Sequence, residues 1–372
     1  MKVVNVVGAR PNFVKIAPLI GAMRRSSELA SVLVHTGQHY DPTMSERFFA
    51  DLEIPPPDVN LSVGSGSHAI QTAEIMCRLE PVLEAHRPDV VLVVGDVNST
   101  LAAALTAAKL GIPIAHVEAG LRSFDRSMPE EINRVLTDAL ADLLFVTEGS
   151  GCQNLLREGV AREKIHFVGN VMIDALEASR TRWQASSVFE RLGIESEQPY
   201  AVLTLHRPAN VDDPGDLTEL LDALQALARH VPIVFPVHPR IAPRLSRYGT
   251  EPVRGKGITC LPPLGYLDFI ALVSRARLVL TDSGGVQEET TILGVPCLTL
   301  RETTERPVTV TNGTNRVVGT DPGRILREAL RTLADPPPPS EPPPFWDGRA
   351  AERIVGVLLG QARITRRTES AA

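Results

Sequence analysis

The sequence predicts an α/β protein made of two doubly wound parallel sheets. Three observations carry this reading. Short apolar runs alternate with longer amphipathic ones, the short runs are continuous in Val, Ile and Leu, and the whole pattern restarts past the middle of the chain. Continuous apolar runs mark strands buried on both faces. Repeated strand-then-helix spacing implies parallel strands joined by crossover helices. At 372 residues the chain exceeds one ordinary core, so two domains are expected.

In the first half, KVVNVVG (2–8), SVLVHTG (31–37), DVVLVVGD (89–96), IPIAHVE (112–118) and LLFVTE (143–148) read as strands. The segments APLIGAMRR, HAIQTAEIMCRLEPVLEAH, TLAAALTAAKLG and PEEINRVLTDALA between them read as helices. In the second half the strands are YAVLTLH (200–206), PIVFPVH (232–238), GITCLPP (257–263), ARLVLTDS (276–283), PCLTL (296–300) and NRVVG (315–319). Both halves place an Arg-Pro pair soon after their first strand, Arg10-Pro11 and Arg207-Pro208. We assign an N-terminal Rossmann-like domain to 1–169, a C-terminal one to 170–355, and a terminal helix end and tail to 356–372. The run PPPPSEPPP (336–344) cannot lie inside a helix and reads as a surface connector. The last residues, ITRRTESAA, read as a frayed tail.

Composition narrows the function. Net charge is −6, which gives no general attraction to nucleic acid or a membrane surface. No apolar run approaches the length of a membrane span, and the N-terminus lacks a signal-peptide pattern. The four cysteines, Cys77, Cys152, Cys260 and Cys297, are scattered without metal or disulfide spacing. That fits a reducing cytoplasm. Neither half carries GxGxxG after its first strand, so no nicotinamide is implied. There is no acidic cluster at metal-ligand spacing and no DxD; we expect neither metal nor cofactor.

Open α/β sheets bind ligands at the carboxyl ends of their strands, and two such domains make an interdomain cleft the expected site. Polar residues concentrate at those ends. Arg10 and Lys15 follow the first strand, and Gln38 and His39 the second. Asp96 follows DVVLVVG, Glu118 ends IPIAHVE, and Glu130, Glu131 and Arg134 come from the next segment. In the second half His206 ends YAVLTLH, TDSGGVQEE (281–289) closes another strand, and Arg306 lies just beyond. Singly, each has an ordinary reading. Asp96 or Ser99 caps a helix, Glu118 pairs with Arg122, Glu130 is a first-turn acid after Pro129, and His206 is a core histidine. Together they suggest a chemistry. Arg10, Lys15, His206, Arg306 and the amides at Ser283, Gly284 and Gly285 suit a diphosphate, and Asp96, Glu118 and Glu130 suit proton transfer on a sugar.

The motifs GARPNFVKIAPL, HTGQHYD, VVGDVNST, HVEAGLRSFD, PEEINR, GNVMIDAL, LTLHRPANVD and LTDSGGVQEE…LGVPCLTLRETTERP resemble, in order and spacing, the non-hydrolysing UDP-N-acetylglucosamine 2-epimerase family. The resemblance runs from Lys2 to Gly360. It implies two Rossmann-like domains in a glycosyltransferase-B-like arrangement, the second binding UDP. It also implies inversion at C2 of a UDP-2-acetamido sugar by elimination and re-addition of UDP through a glycal. UDP-N-acetylglucosamine is the expected substrate, and UDP-2,3-diacetamido-2,3-dideoxy-glucuronate the alternative. A UDP-sugar glycosyltransferase is the competing class. By motif, Asp96, Glu118, Glu130 and His206 match the family's catalytic residues. Arg10, Lys15, Arg134, Ser283, Gly284, Gly285, Glu289 and Arg306 match its UDP-sugar contacts, with Glu289 on the ribose and Phe269 near uracil. Gln38, His39 and Gln71 match an allosteric set used by several bacterial members, although Tyr40-Asp41 departs from their usual basic residue. A cytoplasmic homodimer supplying polysaccharide precursors is the usual family setting.

Overall fold

The computed structural model describes residues 1–38, 48–195, 197–237, 245, 257–338 and 341–371. It divides into two compact units, Met1–Ala178 with Pro344–Ala372, and Ser179–Pro343.

The first unit holds seven parallel strands: β1 (Lys2–Val7), β2 (Ala30–His35), β3 (Val59–Asn60), β4 (Val90–Val94), β5 (Ile114–Ala119), β6 (Leu143–Val146) and β7 (Ile165–Phe167). Their order is β3-β2-β1-β4-β5-β6-β7. Val4, Val6, Val91 and Val93 share one core cluster, as strands packed on both faces require. Helix α1 (Arg10–Arg24) follows β1 at once, with Pro11 in its first turn. Helix α2 (His68–His86) is capped by Ser67, whose hydroxyl accepts from Ile70 N. It packs on α3 (Asn98–Lys109), which also packs on α4 (Pro129–Leu140). The buried alanines 102, 103, 104 and 107 of α3 let these neighbours approach closely.

The second unit repeats the plan with β8 (Ala201–Thr204), β9 (Ile233–Pro236), β10 (Ile258–Leu261), β11 (Leu278–Thr281), β12 (Cys297–Thr299) and β13 (Asn315–Val317). All are parallel, in the order β10-β9-β8-β11-β12-β13. Ala201 and Leu203 enter one core cluster and Val202 another, so this sheet is also covered on both faces.

The division of the chain differs from the expected boundaries. The break falls after Ala178 rather than at 169/170, and the chain returns to the first unit at Pro344 rather than beginning a tail at 356. The returning chain is tied down. Trp346 Nε1 donates to Thr147 O at 2.9 Å. Asp174, on α5 (Val171–Ala178), accepts from Ala350 N at 3.0 Å and Ala351 N at 2.7 Å. It thereby caps the last helix, Ala350–Ala371, which runs through the segment expected to fray. Gly169 allows the crossing: its φ is +90°, and a Cβ there would lie 2.0 Å from Phe345 O.

Each sheet has its topological switch at the first strand, where the crossovers leave in opposite directions. In the first unit this is the gap beyond β1 and β4, and in the second the gap beyond β8 and β11. No helix among the described residues is long and apolar enough to cross a membrane.

Candidate active site

At the switch of the first unit, β5 ends irregularly. Its register against β6 shifts between Val117 and Ala119, and the residue skipped, Glu118, has φ +75°. A left-handed non-glycine costs on the order of 1–3 kcal/mol and persists where its surroundings fix it. Such a bulge re-aims a side chain. Here the Glu118 carboxylate meets Lys15 Nζ of α1, both side chains being buried. Gly95, after β4, lies against this pair; a Cβ there would come within 2.9 Å of Lys15 Nζ and 3.4 Å of Glu118 Oε2.

The next residue, Asp96, accepts from Arg134 Nε of α4 at 3.0 Å. Arg134 also donates through Nη1 to Glu131 at 2.5 Å. Glu131 accepts from Ser123 N at 2.9 Å and Phe124 N at 3.0 Å. Asp96 keeps 22% of its side chain exposed, while Glu131 and Arg134 are buried. The ion-pair chain therefore ends on a carboxylate that still faces outward.

Behind these groups lies a second layer. His116 Nδ1 meets Asp138 Oδ1 at 2.6 Å, and its Nε2 meets Gly95 O at 2.8 Å. Asp138 Oδ2 accepts from Gly120 N at 3.0 Å and pairs with Arg122 Nη1 at 2.7 Å. Burial pushes the Asp138 carboxyl up, but His116 and Arg122 more than offset it and hold it below the usual carboxylate range.

In the second unit, Asp282 directly follows β11 and is fully buried. It accepts from the backbone N–H of His206 and Arg207, from Asn210 Nδ2 at 3.1 Å, and faces His206 Nδ1 at 2.7 Å. Burial raises the Asp282 carboxyl; the His206 ring and these amides pull it far below its ordinary value. The His206 side chain remains 43% exposed. Next comes α7 (Gly284–Leu293), whose N-cap, Ser283, is extended and makes no side-chain cap bond. The first amides of a helix have no intrahelical partner and favour anions. Arg306 lies buried beside this turn, with Nε donating to Glu288 at 2.7 Å and Nη1 to Glu305 at 2.5 Å. A Cβ on Gly284 would lie 2.3 Å from Arg306 Nη1. The bare backbone at 284 thus makes room for the guanidinium. One turn on, Glu289 is buried; burial, then the charge of Glu288, push it up to about 8.

Sequence comparison decides what carries this arrangement. A family model described as UDP-N-acetylglucosamine 2-epimerase matches residues 21–359. The chain belongs to that family. It is 40% identical to a UDP-N-acetylglucosamine 2-epimerase of Methanococcus maripaludis, over 97% of this chain and 99% of the relative. It is 41% identical to a UDP-2,3-diacetamido-2,3-dideoxy-D-glucuronate 2-epimerase of Pseudomonas aeruginosa, over 96% and 99%. The structure of Methanocaldococcus jannaschii UDP-GlcNAc 2-epimerase in complex with UDP-GlcNAc and UDP aligns with a TM-score of 0.89 at 40% identity, covering 96% of this chain and 99% of that one.

Within this epimerase-family chain, Lys15, Asp96, Glu118 and Arg134 gather at one strand-end surface of the first unit, with Arg10 opening α1 after β1. His206, Ser283, Gly284, Gly285, Glu289 and Arg306 gather at the corresponding surface of the second. Lys15 is engaged with Glu118. Glu130 is half-buried in the first turn of α4, while its neighbour Glu131 is the acid drawn inward. Phe269, on α6 (Tyr266–Ser274), packs against the second unit's core. Gln38 and Gln71 are buried in a network of their own. Gln38 Oε1 accepts from Ser99 N at 3.0 Å, and Gln71 bonds Gln38 O and Asn98. His39 lies outside the described residues. Among the described residues no group of three His, Cys, Asp or Glu side chains is placed to hold a metal ion.

The residues that sequence reasoning passed over are Asp282, His116 and Asp138. The first was in view inside TDSGG, and its signal is an acid directly after a buried strand. The others are drawn in by partners that only the fold supplies.

Proposed function

We propose that the chain epimerises C2 of a UDP-2-acetamido sugar, UDP-N-acetylglucosamine to UDP-N-acetylmannosamine in the first instance. The observation that carries this reading is the bulged, left-handed Glu118 set against Lys15 beside Gly95, the residue before Asp96. Strained residues cluster at functional sites, and this one is a carboxylate paired with a buried lysine.

The C2 hydrogen has no carbonyl at C2 to acidify it, so elimination is the productive route. A carboxylate takes the C2 proton, the C1–O bond breaks, UDP leaves with the bonding pair, and C1=C2 forms. In return a phosphate oxygen of UDP attacks C1 and a proton reaches the opposite face of C2. We assign the proton steps to Asp96 and Glu118, with Glu130 assisting. Arg134 fixes Asp96, and Lys15 fixes Glu118. The leaving diphosphate is met by the Ser283–Gly285 amides, Arg306, Arg10 and His206, which stabilise charge as it develops. Glu289 takes the ribose hydroxyls, and Phe269 is the aromatic assigned to uracil.

The relative from Pseudomonas aeruginosa supports a second substrate reading, the diacetamido glucuronate, on the same chemistry. Proton NMR in D2O separates them. UDP-N-acetylmannosamine carrying deuterium at C2 is the expected product. Free N-acetylmannosamine with UDP would overturn the non-hydrolysing reading. No reaction by folded, UDP-binding protein would reject UDP-N-acetylglucosamine and move the assignment to the uronic acid sugar. We also read the protein as a cytoplasmic homodimer serving polysaccharide synthesis, with α2 as the contact; Ile70 on that helix is 63% exposed. A monomer in sedimentation at micromolar concentration would sink the assembly reading.

A further inference from the structure

Asp96 is partly exposed at the strand ends, whereas a second carboxylate close to the Glu118 bulge is buried. Asp138 sits one helix away, 2% exposed, and His116 is fully buried. Neither can touch a substrate. Their contacts nevertheless bracket Glu118 on both sides in sequence. Asp138 holds the His116 ring two residues before it, Gly120 N two residues after it, and Arg122 four residues after it. The opposite nitrogen of His116 holds Gly95 O, the carbonyl directly before Asp96. Asn154 Nδ2 adds a bond to Gly120 O at 2.9 Å. Gly120 itself has φ +81° and lies so close to Gly151 that a Cβ would be 2.5 Å from its carbonyl oxygen.

We infer that the Asp138–His116 pair is a positioning device that holds the Glu118 bulge and the Asp96 backbone in one fixed relation. The local geometry requires something of the kind. A β-strand left to itself would relax Glu118 out of the left-handed region and return its side chain to the sheet's own alternation. Tying the residues before and after the bulge to one buried carboxylate removes that freedom. Because His116 reaches Gly95 O as well, the same carboxylate sets the spacing of two acids that come from different strands. Buried polar groups that are fully engaged fix a unique local arrangement, and misplacement of a reacting group by about 1 Å costs roughly 100-fold in rate.

This role in turnover rests on the epimerase reading, so the test has one arm that needs no turnover. The first arm is a crystal structure of Asp138→Asn. The asparagine keeps an oxygen for Gly120 N and loses the charge that holds His116 and Arg122. Glu118 is expected to leave the left-handed region; a retained φ near +75° with the register shift intact overturns the inference. The second arm uses His116→Asn and His116→Gln. Asparagine can reach Asp138 in place of Nδ1 but not Gly95 O, and glutamine can reach Gly95 O in place of Nε2. For His116→Asn we expect kcat to fall about 100-fold while KM and UDP affinity change less than about threefold, with His116→Gln recovering part of the loss. Unchanged kcat in both folded variants overturns the inference. So does a parallel collapse of kcat, UDP affinity and melting temperature, which would mark a purely structural role. Wild-type protein that turns over neither UDP-sugar would count against the epimerase reading alone, and the Glu118 geometry of Asp138→Asn would still decide the clamp.

Discussion

Each unit pairs a buried aspartate with a histidine in or just past a strand, and the two pairs are put to opposite uses. In the first, His116 lies within β5 and both ring nitrogens face oxygen atoms of the protein, so the ring is a strut. In the second, His206 follows β8, Asp282 engages one ring nitrogen, and much of the side chain stays exposed. The same two residue types thus give scaffold in one place and a displayed group in the other. What separates them is the distance past the strand. His116 is inside the ladder, paired in register with Leu144, whereas His206 lies two residues beyond the last paired residue, Thr204. The acids follow the same contrast. The first unit presents carboxylates already matched to Lys15 and Arg134, while the second keeps Glu289 buried beside another acid.

The comparison is broken most severely by removing the groups the first unit presents. Glu118→Gln and Asp96→Asn should each lower kcat by at least about 10³-fold, the scale of a lost acid–base group. The folded circular dichroism spectrum should persist, since Gln and Asn keep an acceptor for Lys15 and Arg134. Near-normal turnover in both would remove them from the proton steps and leave the chemistry to the second unit.

A smaller effect is expected at Asp282. Asparagine would turn a donor toward one of the four donors that now converge on the carboxylate, costing about 2–4 kcal/mol and roughly 100-fold in kcat as His206 loses its orientation. The pH dependence follows from the lowered carboxyl. A group held below its unfolded value contributes stability in full above about pH 4 and loses it as pH falls further. Denaturation of wild type and Asp282→Asn should therefore differ most at neutral pH and converge in acid. A constant difference from pH 7 to pH 3 would show that Asp282 is not held ionised.

These contrasts also mark what the sequence displays and what it conceals. Strand β4 announces itself as an unbroken run of Val and Leu, and β1, β8 and β11 carry shorter ones, because burial on both faces leaves few polar positions; Asn5 in β1 is one. Strand β3, two residues long, and β7, IHF, carry no such run. They lie at the sheet's ends, where pairing can proceed without full burial. Residues directly after buried strands were legible as a set, since strand ends are where open α/β sheets present groups. The partners of those residues were not. Glu130 and Glu131 are adjacent, yet successive helical residues point about 100° apart, and only the packing of α4 selects Glu131 for Arg134. Asp138 finds His116 across 22 positions, a pairing that needs α4 folded back on β5. The returning C-terminal chain was hidden for the same reason: its helix is capped by Asp174, 176 residues earlier.

The finest cut of the comparison is Glu289→Gln. Burial and the Glu288 charge raise this carboxyl to about 8, so it is largely neutral at pH 7 in the ligand-free protein. The sign is opposite to that of Asp282. Between its unfolded value near 4.3 and its folded value the native state holds a proton that the unfolded chain has released, so stability falls as pH rises through that window. Glutamine has no proton to hold and escapes the loss. The variant should match wild type near pH 4 and exceed it by about 3–5 kcal/mol near pH 8, read by chemical denaturation at the two values. UDP affinity should weaken by about tenfold, the worth of a hydrogen bond to the ribose diol. A variant with the wild-type pH slope would mean that Glu289 is ionised in the fold. The second unit would then hold this carboxylate charged in spite of its burial.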